Sequence, residues 1–221
     1  MKKYNLISFS GIDSSGKSTY IKYLVNEFEQ QRIKYKVIWS RGGYTSGFEI
    51  LKNFLRLILG KRLPQSGVSE KRTKMLSSKK ISNVWYTIAM IDLIRLYTIA
   101  FRIYKILGYT IICDRYIWDT YVDFTFGYKD MLNKRLWKIL EKCYRKPDIS
   151  FYFFISPEES LKRSIEKNEP FADSIERRIE RVEIYTFLRM SQKWDICIST
   201  EENNEEEVEH LVSKALAKLG F

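Results

Sequence analysis

Between Phe9 and Thr19 the chain reads FSGIDSSGKST, directly behind the stretch Leu6-Ile7-Ser8-Phe9. Gly11 and Gly16 bracket four residues, and Lys17 and Ser18 follow at once, which is the spacing G-x-x-x-x-G-K-[ST]. Glycines let successive backbone N–H groups curl inward on an anion, and the positive end of a following helix adds to their pull. A lysine here reaches the β- and γ-phosphates of a nucleotide, and the hydroxyl after it serves Mg²⁺. The expected ATP cradle is therefore Gly11, Ile12, Asp13, Ser14, Ser15, Gly16, Lys17, Ser18 and Thr19. A glycine turn that merely opens a helix would require neither the lysine nor the serine. Asp13 sits oddly in such a loop, because a carboxylate repels phosphate unless it faces away. Turned away, it can accept from a second substrate's hydroxyl or from a metal-bound water; an Asx turn that only shapes the loop is the alternative.

A second group lies at the end of YTIICDRY, residues 109–116. In open parallel sheets, ligands sit beyond the carboxyl ends of the strands. Asp114 is placed there to hold Mg²⁺, and Arg115 to neutralise a phosphoryl group in transfer, unless the two form a plain surface ion pair. The phosphate loop has no arginine of its own. A further cation must come from Arg115 or from the segment 162–178, where Arg163, Arg177 and Arg178 are the candidates. Charges spaced as in that segment also make ordinary solvated helix pairs. His210 is the only histidine, so histidine-based hydrolysis or metal binding has no support.

Positioning these groups requires a scaffold. Five β-rich segments stand out: residues 5–10, 35–40, 109–113, 149–155 and 195–199. They are continuous apolar runs rather than alternating ones, as expected of parallel strands covered on both faces. Helical patterns occupy residues 17–31, 48–59, 81–107, 132–144, 157–167, 174–191 and 204–219. Gly108 is expected to end the third of these, and Asn204 with Glu205–Glu207 to start the last. Alternation of strand and helix predicts an α/β fold, a five-stranded parallel sheet with helices on both faces. One domain over residues 1–221 is expected, with a basic insertion around 60–80 and a lid around 162–178.

Formal net charge is +11. Residues 61–80 carry seven Lys or Arg against one Glu, a local net of +6. Such a block can contact nucleic acid, but no aromatic side chains interleave as stacking platforms, and a solvated loop is the favoured reading. The longest apolar stretch, residues 88–113, is broken by Asp92, Arg95, Arg102 and Lys105, so no membrane span is expected. Cys113, Cys143 and Cys197 lie far apart beside apolar residues. They read as buried free thiols of a reducing compartment, hence a cytoplasmic chain with no signal segment.

Phe9–Thr19 resembles the thymidylate kinase loop FxGxDGxGK[ST]T, with Ser14 where that family usually has glycine. Asp114-Arg115-Tyr116 is similar to the family's DRY motif, and PDISFYFFISPEESLKR (147–163) to its PDLxxxLxxxPExxLxR segment. SRGGYTSG (40–47) resembles its RxPGGT turn, IERRIERVEIY (175–185) the helix after its mobile lid, and DICISTEENNEEEVEHLV (195–212) its last strand and helix. The resemblance runs through nearly the whole chain, in order. It implies the P-loop fold and transfer of the ATP γ-phosphoryl to a nucleoside monophosphate, dTMP or a related nucleotide. Mg²⁺ and often a homodimer are implied as well. Carried over, Lys17 and Arg115 would stabilise the phosphoryl group, Ser18 and Asp114 would serve the metal, and Asp13 the acceptor's sugar hydroxyl. Arg41 and Arg95 would hold the acceptor phosphate, with Asp92, Tyr116 and Asp119 also at the acceptor. The family's YQG after the DRY motif is missing: Asp123-Phe124 replaces Tyr-Gln, and Asp119 replaces a serine. Preference for thymine is therefore open. Two rival readings remain, a kinase of nucleosides, sugars or other small molecules on the same scaffold, and a nucleotide-dependent nucleic-acid-binding protein.

Overall fold

In the computed structural model of the chain, residues 6–40, 45, 79–127, 135–169 and 172–220 are described. Five strands alternate with helices: β1 (Leu6–Ser10), α1 (Lys17–Gln30), β2 (Tyr35–Trp39), α2 (Lys79–Arg95), a π turn (Leu96–Ala100), α3 (Phe101–Ile106) and β3 (Thr110–Asp114). There follow α4 (Ile117–Gly127), α5 (Arg135–Cys143), β4 (Ile149–Phe154), α6 (Pro157–Glu166), α7 (Ile175–Met190), β5 (Ile196–Ser199) and α8 (Glu205–Ala217). All the strands are parallel, in the order β2-β3-β1-β4-β5. This is the expected P-loop α/β sheet.

The central strands explain themselves. Every residue of β1 is buried, because helices cover both faces of the sheet, and its two serines, Ser8 and Ser10, are buried with the apolar residues. On one face Phe9, Phe151 and Phe153 stack, with ring centroids 5.1 and 5.8 Å from Phe9, beneath Ile21, Leu24 and Phe28 of α1 and Val208 and Val212 of α8. On the other, Leu6, Ile111 and Cys113 pack under α2, α3, α4 and α5. Burying one such phenylalanine is worth about 2 kcal/mol, so the strand ends at the top of this sheet are rigidly placed.

Helix ends follow their sequence signals. Asn204 accepts from the Glu207 N–H while the Glu207 carboxylate accepts from the Asn204 N–H, a complete capping box. Gly108 takes φ +75° after α3.

Three expectations need correction. Segment 35–40 is not a buried central strand: β2 is a sheet edge, with Val37 and Trp39 exposed. Cys143 and Cys197 are exposed, and only Cys113 is buried. Helix α4 was not foreseen at all. The predicted helix over 48–59, Arg41 and the basic block as far as residue 78 lie outside the described residues. No helix among the described residues is long and apolar enough to cross a membrane.

Candidate active site

Strand β1 delivers the chain to Gly11, whose φ of +146° no other residue adopts readily and where a Cβ would run into the carbonyl oxygen of Phe153. Gly16, at φ +85°, turns the chain into α1. Between them the backbone curls round the Lys17 side chain. Its Nζ donates to the Ile12 carbonyl at 2.6 Å and to Ser15 Oγ at 3.2 Å, and the residue is buried. Burial first, and then the Arg115 charge, pull its pKa from 10.5 down to about 8, against the opposing charges of Asp13, Asp114 and Asp119.

Ser14 stands at φ +58°, a left-handed conformation that costs a non-glycine residue about 1–2 kcal/mol. Its hydroxyl donates to Glu169 Oε1 at 2.9 Å, and the other Glu169 oxygen accepts from Ser164, so the loop is tied to the end of α6. Two substitutions separate strain from bond. Ser14→Ala keeps the strain and loses the bond, whereas Ser14→Gly loses both. We expect the glycine variant to be the more stable of the two by about 1 kcal/mol in chemical denaturation. A more stable alanine variant would refute the strain.

Arg115 directly follows β3, at φ +70°, with its N–H bonded to Phe9 O at 2.9 Å. Such strain at a strand end is common where a side chain must be aimed. Here it throws the guanidinium back over the loop: Nη1 donates to Gly11 O at 3.0 Å and lies 3.6 Å from Asp119 Oδ1, and Nη2 pairs with the Asp13 carboxylate. Burial opposes the charge on Arg115, but Asp13, ahead of Tyr185 and Asp119, outweighs it and the proton is held more firmly than usual. Asp13 thus faces the arginine. Its carbonyl accepts from Ser160 Oγ at 2.9 Å.

Asp114 pairs in register with Phe9 at the same end of the sheet. Its Oδ1 is buried and has no hydrogen-bond partner among the described residues, and burial raises its pKa against the pull of Lys17 and Arg115. An orphaned carboxylate oxygen beside a phosphate loop suits a hard divalent cation or its water shell, and Ser18 is exposed at the start of α1. The residues present fit Mg²⁺.

Other expected site residues are placed differently. Asp119, expected at the acceptor, is fully buried, and its two oxygens accept from Ser10 Oγ, the Gly11 N–H, the Tyr116 N–H and the Tyr185 hydroxyl. No oxygen of Asp119 is left to read a substrate. The Tyr116 ring is buried among Tyr97, Phe101 and Tyr144, and its hydroxyl donates to Arg145 O, so it too is turned from the loop. On α2, Arg95 donates twice to Asp92 Oδ1, at 3.0 and 2.8 Å, and Thr45 donates to the other Asp92 oxygen.

The arginines of segment 162–178 divide similarly. Arg163 bonds Glu159 and Thr200, and Thr200 Oγ1 donates on to Ser15 O, so this arginine braces the back of the loop. Arg177 is exposed, 3.6 Å from Asp173. Arg178 is buried, donates to Ser160 Oγ and Asp173 O, and keeps a buried Nη2 without a partner among the described residues. Sequence reasoning passed over three contributors: Ser160, Tyr185 and Arg181. The last joins Asp123 Oδ1 at 2.6 Å to Asp173 Oδ2 at 3.0 Å. Asp123 was the available signal, a carboxylate at an altered position.

Together these groups form an anion cradle with two cations over it and a carboxylate beside it, the equipment of phosphoryl transfer. A family model described as thymidylate kinase matches residues 69–212, beginning beyond the phosphate loop. A thymidylate kinase of Pelodictyon phaeoclathratiforme is 32% identical over 163 residues, 73% of this chain and 66% of that protein. One of Wolbachia pipientis is 31% identical over 169 residues, 74% of each chain, and one of Plasmodium falciparum 25% identical over 193 residues, 87% and 81%. Fold, phosphate loop and relatives agree: the chain belongs to the thymidylate kinase family and is a nucleoside monophosphate kinase that draws its phosphoryl group from ATP.

Proposed function

We propose that this kinase converts dTMP, or a closely related deoxynucleoside monophosphate, to its diphosphate. The observation that carries the reading is the convergence of Lys17 and Arg115 on the loop between Gly11 and Ser18. When ATP enters, the inward N–H groups of the loop take its phosphates, and Lys17 exchanges the Ile12 carbonyl for phosphate oxygens. Arg115 is held ready to neutralise the charge that develops on the moving group. Asp13 keeps that arginine oriented and can accept from the acceptor's sugar hydroxyl. Mg²⁺ supplies neutralisation of the phosphate oxygens when bound, and Asp114 with Ser18 would hold it. Arg41 and Arg95 are the candidates for the acceptor phosphate; Arg95 would have to exchange Asp92 for it.

Asp123 is engaged by Arg181, so the base of the acceptor is read by other groups than the Tyr-Gln pair usual in the family. The test is a panel of dTMP, dUMP, dCMP, dAMP and dGMP with Mg-ATP, followed by diphosphate formation. We expect dTMP to be converted and EDTA to abolish conversion. Phosphorylation of nucleosides alone would favour the small-molecule rival, and no acceptor at all would overturn the kinase reading.

The same proposal places the enzyme in the cytoplasm, consistent with its unpaired thiols, and makes it a homodimer. Ile91, Ile99 and Ile103 are each at least half exposed along the α2–α3 rod, an apolar row suited to a second copy. Sedimentation showing a monomer at micromolar concentration would refute the dimer.

A further inference from the structure

The buried carboxylate of Asp119 has no place in the reaction so far. It occupies a position where the resembled family usually carries serine, and it meets four separate parts of the site. Oδ1 accepts from the Gly11 N–H at 3.2 Å and from the Tyr185 hydroxyl at 2.6 Å, and lies 3.6 Å from Arg115 Nη1. Oδ2 accepts from Ser10 Oγ at 2.7 Å and from the Tyr116 N–H at 2.9 Å. Those donors belong to the end of β1, the first glycine of the loop, the backbone beyond Arg115, and the middle of α7. A serine hydroxyl has one oxygen and no charge, and could satisfy only part of this set. Tyr185 also lies 3.4 Å from Gly11 O, the carbonyl that accepts from Arg115. Burial, and after it the Asp119 charge, hold the Tyr185 phenol in its protonated form, so it stays a donor.

We propose that Asp119 is a positioning residue for phosphoryl transfer, through which the seating of α7 by Tyr185 fixes both the Gly11 N–H of the phosphate loop and the guanidinium of Arg115. α7 begins inside the segment 162–178 and carries its Arg177 and Arg178, so a shift of that helix is transmitted to Arg115 through one carboxylate rather than through a chain of apolar contacts. The inference rests on the kinase reading for its catalytic consequence, but not for its structural one.

The experiment uses Tyr185→Phe, which removes one hydroxyl from a packed ring that stacks on Tyr152 and is not itself expected to unfold the protein. In the native background we expect kcat with dTMP to fall roughly tenfold, the lower end for losing a hydrogen bond to a charged acceptor, with KM for ATP changed less than about threefold. In an Arg115→Ala background the same substitution should cost less than about twofold, because the group it positions is gone. Equal losses in both backgrounds, or no loss in the native one, would overturn the inference while leaving the kinase intact. Amide hydrogen exchange of the ATP-free protein gives the second arm. The peptide containing Gly11 should exchange at least about fivefold faster in Tyr185→Phe, and unchanged exchange would overturn the proposal whether or not any acceptor is phosphorylated. Asp119→Asn checks the charge: if it alone restores native kcat and exchange to Tyr185→Phe, the carboxylate is not the link. A wild-type enzyme inactive on every monophosphate would sink the kinase reading, and the exchange arm would still decide this one.

Discussion

Arg115→Ala is expected to lower turnover by at least ~10² while leaving ATP affinity within a few fold. The side chain is buried, bent over the loop by a left-handed backbone, and clamped between Gly11 O and the Asp13 carboxylate. It therefore spends ground-state interactions on orientation and contributes chiefly when charge builds on the moving phosphoryl group. Alanine is as strained as arginine at φ +70°, so the loss is not a relief of strain in disguise. Arg115→Lys should recover little, because one ammonium cannot span a carbonyl and a carboxylate as a fork does. Steady-state kinetics with saturating Mg-ATP measure both. Near-native turnover in the alanine variant would remove Arg115 from its role and point to Arg177 or Arg178.

Lys17→Ala should cut turnover by at least ~10² and, unlike the arginine variant, weaken ATP binding as well. Its proton offers a finer test. In the ATP-free loop the pKa is about 8, so near that pH about half of the lysine is neutral. Bound phosphates favour the ammonium. ATP binding at pH 8 is then expected to take up about half a proton, seen as a calorimetric enthalpy that varies with the ionisation heat of the buffer, and affinity should fall as pH rises beyond 8. Lys17→Ala should abolish the uptake. Stability moves the other way. An unfolded lysine keeps its proton to about pH 10, so between pH 8 and 10 the unfolded state binds more protons and the ATP-free protein grows more stable with rising pH, by up to ~1.4 kcal/mol per unit.

Much of this site could be read from residue order. The cradle, the strand before it and the helix behind it are local, and locality is what spacing reports. Arg115 and Asp114 were legible because a strand end has a fixed direction in a parallel sheet. The segment Ile117–Gly127 was not, since Ile, Trp, Thr, Tyr, Val and Phe favour strands and only packing against Trp137 and the sheet makes them helical. Without that helix, residue order gives no reason to turn Asp119 from a substrate, whereas one turn of α4 directs it at Ser10 and Gly11. The edge position of β2 was hidden for a related reason: strand order depends on which crossovers the chain takes, and that is not a property of the strand. Tyr185 needed both α4 and α7 in place before it had any meaning.

The π turn at Leu96–Ala100 holds one residue more than a regular helix needs over that rise. The Phe101 N–H reaches back to Leu96 O, and the Thr98 hydroxyl takes up Ile94 O. Upstream of it the rod presents Asp92 to Thr45; within it Tyr97 meets the Ser40 hydroxyl at 2.6 Å, beside the end of β2. Removing a single residue there would let the rod rewind into an unbroken α-helix without shortening its hydrogen-bonded ladder. The segments on either side would keep their present angular relation, because the π turn already absorbs the extra residue's rotation of about 100° within one turn. Without that widening, the same surplus residue would carry Asp92 round the axis and away from Thr45. The π turn acts as a phase keeper: it lets the rod hold an extra residue while its two ends stay in register.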